Sequence, residues 1–249
     1  MFQQFRLLTI IFILFFSVSI DANQHEKNVL IVLTSHDTLG NTGQKTGFWL
    51  PELTHPYYAL TKMGIHVDVA SIQGGLAPID AKALKEDDPY NQVFLNDPKL
   101  LNKVLNTLSL EEVNRKDYDA ILFSGGSGPM WDFANNADVA NLVTTQLNQN
   151  KVVAAVCHGV AALVGVKDEA GQFIVAGKRI AAFSNEEENQ LGTQDIVPFL
   201  LESKLIEQGA RYVPGKAWQG NIVVDGNLIT GQNPASATQL AHEIAKKLL

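Results

Sequence analysis

The chain has 249 residues, 46% of them hydrophobic and 18% charged, with a formal net charge of −7. That length fits one large domain or two small ones, and the composition is that of a globular chain able to bury a core. No basic cluster is present to neutralise phosphates, which excludes a nucleic-acid binder.

The first segment differs in kind from the rest. Residues 1–6 are short and carry Arg6, residues 7–20 are almost wholly apolar, and residues 21–24 are polar again. The apolar run is shorter than the roughly 20 residues a membrane-spanning helix needs. It has the shape of a secretory signal peptide with small residues near its end, cut after Ser19 or Ala22. The expected division is a leader over 1–22 and a mature domain over 23–249, periplasmic or secreted and free of the membrane once cut. An uncleaved anchor or a buried helix is the rival reading. The chain holds a single cysteine, Cys157. It forms no internal disulfide, so in an oxidising compartment it is either buried and inert or reactive and protected.

Residues 28–33 form a continuous apolar run, typical of a strand covered on both faces. Residues 34–46 are a polar loop at that strand's carboxyl end, where open α/β sheets build their sites. Pro51 and Pro56 mark a helix entrance, and Gly64 closes that helix after Met63. Glu52 sits near the entrance, where a glutamate by itself merely satisfies the dipole. Residues 66–70 alternate as a second strand. Residues 71–96 read as a polar loop, long for a connection inside a compact domain and suited to covering a site. Residues 97–106 follow as a helix with Asp97 as cap.

Residues 119–123 are a third buried strand, ending in Ser124-Gly125-Gly126-Ser127-Gly128-Pro129. These glycines let the main chain turn tightly and approach a ligand. A phosphate cradle is the alternative, but neither Gly-Lys-Ser/Thr nor Gly-x-Gly-x-x-Gly is present. Residues 138–149 form the next helix and 151–156 the strand before Cys157. A helix over 158–164 follows, then strands at 173–175 and 179–183, an acidic run Glu186-Glu187-Glu188, an amphipathic helix over 197–208 closed by Gly209, and a strand at 211–213. A hairpin over 222–230 turns at Asp225-Gly226-Asn227, and residues 231–237 open the last helix. Strands and helices alternate with no linker, which predicts one domain with a mainly parallel sheet and helices on both faces.

Cys157 stands where the Val-rich strand turns directly into helix. A nucleophile on such a bend projects above the end of a sheet. Its place at a helix N-terminus favours thiolate, which brings a thiol from about 8.5 toward about 3.5–7.5. His158 follows as the natural base, since imidazole titrates near neutrality. An orienting carboxylate completes such a set. Glu186, Glu187 and Glu188 are its candidates, against the plainer reading of a solvated acidic face. His36 and His55 lack the spacing of a metal site.

Val152-Val-Ala-Ala-Val-Cys157-His158-Gly159 resembles the nucleophile elbow of the ThiJ/PfpI superfamily, relatives of the class I glutamine amidotransferases. The resemblance runs from about residue 28 to 249. Lys45-Thr46-Gly47 through Glu52 and His55-Pro56 resembles the family's first-helix segment. Phe183-Ser-Asn-Glu-Glu-Glu188 resembles the segment carrying its third triad member, and residues 225–237 resemble the signature of its glyoxalase III and chaperone-like branch.

The resemblance implies a flavodoxin-like three-layer α/β/α sandwich. It implies Cys157 as nucleophile, His158 as base, Glu188 as its orienter and Glu52 as a protonated carboxyl against the thiolate. Backbone N–H groups of Gly126 and His158 would form the oxyanion hole. Branch members often carry Gly-Gly-His-Gly where this chain has Ser127, a change that removes an imidazole and leaves the N–H. The implied activity is conversion of methylglyoxal, a small 2-oxoaldehyde, to D-lactate without cofactor or metal, in a homodimer. A cysteine peptidase or amidase, or a chaperone or redox stress-protection protein, is the alternative.

Overall fold

A computed structural model describes residues 26–85, 87–113 and 116–249. The leader expected over 1–22 lies outside the described residues. Among those described, no helix is long and apolar enough to cross a membrane.

The sheet begins with β1 (Asn28–Leu33), where all but the first residue are buried. A continuous apolar run of this kind needs cover on both faces, and gets it. β1 leads through α1 (Pro51–Lys62) to β2 (His66–Ser71), which pairs parallel on one side of it. α2 (Pro89–Asn96) and α3 (Pro98–Leu105) follow, then the short β3 (Leu108–Ser109) and α4 (Leu110–Val113). β4 (Ala120–Phe123) returns to the other side of β1. α5 (Pro129–Asp132) and α6 (Ala137–Asn148) lead to β5 (Val152–Val156), buried throughout.

Beyond it, β6 (Arg179–Ile180) and β7 (Arg211–Tyr212) pair with each other, separated by α7 (Asn185–Leu191) and α8 (Leu201–Glu207). The antiparallel hairpin of β8 (Ile222–Asp225) and β9 (Leu228–Gly231) closes the edge, and α9 (Ala237–Leu248) ends the chain. The main sheet runs β3-β2-β1-β4-β5-β9-β8.

α1 crosses from β1 toward one edge and α6 crosses from β4 toward the other. Right-handed crossovers in opposite directions put the two helices on opposite faces. The result is a flavodoxin-like α/β/α sandwich. The strand order reverses between β1 and β4, so a crevice opens above their carboxyl ends.

Several expected elements differ. The polar stretch 71–96 is not all loop: Asp88 accepts from the N–H groups of Tyr90 and Asn91 and starts α2, with Pro89 as first residue. Pro56 lies inside α1 rather than at its entrance. The expected strand 173–175 forms only a turn with one isolated bridge, Lys167 to Phe173, because a run that short has no neighbour to pair along. The expected strand 179–183 shortens to β6, in the small sheet. The expected helix 197–208 begins at Leu201, because Leu200 is still extended, at φ −77° and ψ 119°, and serves as its N-cap. The segment 158–164 is a 3₁₀ helix, Cys157–Leu163, rather than an α-helix.

Candidate active site

Val156 is extended, and Cys157 then adopts φ +58°. A non-glycine residue in this left-handed region costs roughly 1–3 kcal/mol, and here the cost falls on the bend that aims the sulfur. The chain cannot swing wider. A Cβ on Gly159 would sit 2.3 Å from the carbonyl oxygen of Phe123, so the 3₁₀ turn packs backbone to backbone against the end of β4. Gly126, at φ +97°, is equally confined: a Cβ there would lie 2.4 Å from the Gly47 oxygen. The glycines after β4 therefore serve close approach.

His158 is buried, its Nδ1 is 3.6 Å from the Cys157 Sγ, and its Nε2 is 2.8 Å from Glu188 Oε2. The Thr193 hydroxyl donates to the other Glu188 oxygen. Burial works to raise the Glu188 carboxyl, but His158 and Thr193 outweigh it and hold it below its ordinary value. Of the three acidic candidates only Glu188 faces the histidine. Glu186 is exposed, and Glu187 is buried in a separate network.

Glu52 is fully buried in the first turn of α1. Its Oε2 accepts from the Gly125 N–H at 2.7 Å, and a Cβ on Gly125 would meet both that oxygen, at 2.6 Å, and the Cys157 Cβ, at 2.8 Å, so the carboxyl lies beside the thiol. The dipole reading of Glu52 is thus too small: the carboxyl spans from α1 to the turn after β4 and stands beside the thiol. The main-chain N–H groups of His158 and Gly126 act to lower the same thiol.

The expected low thiol pKa is not found in this state. Burial, followed by the Glu52 charge, pushes the Cys157 thiol well above its usual value, and the two N–H groups pull only partly against them. The cause is physical: a 3₁₀ turn inside the core offers less dipole than an exposed α-helix end, and two acids in one dry site resist both losing their protons.

The sulfur opens onto a cavity of about 90 Å³, room for a few water-sized groups. Trp49, Phe183, Leu191, Trp218 and Pro234 form its apolar walls, and Asp80, Lys82 and Ser127 supply polar edges. The Phe183 ring lies 4.1 Å from the His158 ring. Thr193, Asp80 and the two tryptophans escaped the sequence reading. They come from loops and short helices whose positions no local pattern announces. Among the described residues no three metal-binding side chains are gathered. His36 stacks on Trp131, and His55 pairs with Asp88.

Fold and site together define an α/β enzyme with a cysteine on a nucleophile elbow, at the switch point of a parallel sheet. The sequence matches the DJ-1/PfpI family over residues 45–247, and the chain belongs to that family. Glyoxalase 3 of Candida albicans is 32% identical over 226 residues, spanning 87% of this chain and 96% of that protein. Glutathione-independent glyoxalase HSP31 of Saccharomyces cerevisiae is 34% identical, spanning 86% and 95%. Among solved structures, the 24 kDa Rapid Encystment Protein of Francisella tularensis superposes with a TM-score of 0.87 at 49% identity, over 90% of this chain and 99% of that one. Glyoxalase III of Candida albicans superposes with a TM-score of 0.81 at 29% identity, over 88% and 96%.

These relatives correct the expectation of a signal peptide and a periplasmic destination. The two glyoxalases are matched over 96% and 95% of their own length but over 87% and 86% of this chain, so the likeness that places the protein in its family lends the first segment no exported role. A short apolar run is shared by leaders, anchors and buried helices, so hydropathy alone does not separate them.

Proposed function

We propose that the protein is a cofactor-independent glyoxalase III-type lyase that converts methylglyoxal to D-lactate. The Cys157 sulfur adds to the aldehyde carbon, forming a C–S bond, and the carbonyl oxygen takes a proton to give a hemithioacetal. The N–H groups of Gly126 and His158 receive the developing oxyanion. Loss of the proton from that carbon gives an enediol, and return of a proton to the neighbouring carbon gives a thioester. Water then cleaves the C–S bond, releasing lactate and the thiol. One carbon is oxidised as its neighbour is reduced, so no external oxidant enters the balance.

Glu52 and His158 move these protons, with Glu188 holding the imidazole in orientation. The observation that carries this reading is the fully buried Glu52 carboxyl standing beside the Cys157 thiol. Acyl transfer by a peptidase needs only the cysteine, histidine and orienter. A carbon-to-carbon proton shift needs a second acid–base group at the reacting carbon. The glyoxalase names of the relatives point the same way. The test is D-lactate production from methylglyoxal by the wild type and by Cys157→Ala. Activity confined to the wild type supports the reading; peptide cleavage without D-lactate would replace it with a hydrolase.

A further inference from the structure

The acidic run places a second buried carboxylate beside Glu188, and the proposed chemistry does not use it. Glu187 is fully buried, and among the described residues it makes no ion pair. Five hydrogen bonds stabilise it instead. Its Oε2 accepts from the Ser184 N–H at 3.0 Å, the Ser184 hydroxyl at 2.8 Å and Gln232 Nε2 at 3.1 Å. Its Oε1 accepts from the Trp218 N–H at 2.8 Å and Asn233 Nδ2 at 2.7 Å. Capping α7 requires only the first oxygen. The second reaches across to the 214–220 loop and to the turn after β9.

That loop carries Trp218 at φ +62°, a conformation that is an outlier for a bulky residue and persists only where its surroundings enforce it. The Trp218 indole N–H donates to Gln190 at 2.6 Å, and its ring meets Phe183 edge-on at 5.7 Å. The same ring walls the cavity above Cys157. We propose that Glu187 is a positioning residue: its buried carboxylate locks the strained Trp218 main chain, and through it the indole wall of the substrate pocket. The first turn of α7 then sends out two carboxylates with separate jobs, Glu188 to the histidine and Glu187 to the pocket wall. The inference rests on the proposed lyase activity only for the substrate that would feel the wall.

All five partners of Glu187 are donors. In Glu187→Gln the amide keeps one acceptor, which the three bonds on the Ser184 side retain. The new NH₂ then faces the Trp218 N–H and the Asn233 NH₂, donor against donor, so the cap survives and the Trp218 tether is cut. Expected for Glu187→Gln is a KM for methylglyoxal raised roughly tenfold, with the loss in kcat/KM carried mainly by KM. Trp218 emission, assigned by difference against Trp218→Phe, shifts to the red, and iodoacetamide reaches Cys157 faster.

Trp218→Ala, at a site 45% exposed and so tolerant of truncation, shows the same rise in KM. In the Trp218→Ala background Glu187→Gln adds less than about twofold, because the two changes act through one contact. Additive effects, an unchanged KM in either single variant, or a loss confined to kcat would overturn the proposal. If Glu187→Gln does not fold, the KM of Trp218→Ala decides. If the wild type makes no D-lactate, the lyase reading fails by itself, while the emission and alkylation measurements still decide the role of Glu187.

Discussion

Glu52→Gln separates proton transfer from everything else this residue does. A glutamine is the same size, and its carbonyl oxygen takes over the 2.7 Å hydrogen bond from the Gly125 N–H. Burial is unchanged and the backbone contacts of the α1 entrance stay, so the fold is retained. What disappears is the property an amide lacks, the capacity to give up and take back a proton. A positioned acid–base group contributes about 10²–10⁴-fold, which corresponds to roughly 2.7–5.4 kcal/mol of transition-state stabilisation. D-Lactate formation at saturating methylglyoxal should fall by that factor. Circular dichroism and a melting temperature within a few degrees of wild type would show that the fold persists, and alkylation of Cys157 would show that the thiol is still in place. A folded Glu52→Gln protein turning over within about tenfold of wild type would refute the reasoning, and with it the claim that this carboxyl moves protons at the reacting carbon.

Cys157→Gly should melt above Cys157→Ala, because glycine accepts φ +58° and alanine does not. A difference of about 1 kcal/mol gives roughly 2–4 °C at this chain length; an equal or higher melting point for the alanine variant would show that the elbow stores no strain. Glu188→Gln should lower kcat by roughly a hundredfold or more, as loss of an imidazole's orienting carboxylate does. The folded carboxyl of Glu188 sits below its ordinary value, so its stabilisation is present above the unfolded value of about 4.3 and is lost as pH falls through the folded value. Urea unfolding of wild type and Glu188→Gln should therefore differ at pH 7, with the gap closing only as pH falls below the unfolded value of about 4.3; a constant gap would contradict the shift. The raised Cys157 thiol has the opposite sign: the unfolded thiol ionises first, so stability should decline as pH rises above about 8.5, and Cys157→Ala should lack that decline. Gly159→Ala should fail to fold or lose the elbow, since its Cβ would be 2.3 Å from the Phe123 oxygen; wild-type activity and melting would disprove the backbone contact.

Much of this protein is legible along the chain because its causes are local. The uninterrupted apolar runs at 28–33, 120–123 and 152–156 have nowhere to go but the middle of a covered sheet, and they form β1, β4 and β5. The abrupt change from valines to Cys157-His158-Gly159 marks the bend, since only a chain turning out of a strand puts small residues and a nucleophile there. Tertiary structure decided what depends on distance in space. Glu52 reads as an ordinary helix-start acid until α1 docks it against the turn after β4. Three adjacent glutamates look alike until the first turn of α7 exposes Glu186, aims Glu187 at Trp218 and aims Glu188 at His158. The protonation of the cysteine followed the same rule: sequence places a thiol at a helical start, but burial and a neighbouring carboxyl, which only packing supplies, determine how it titrates.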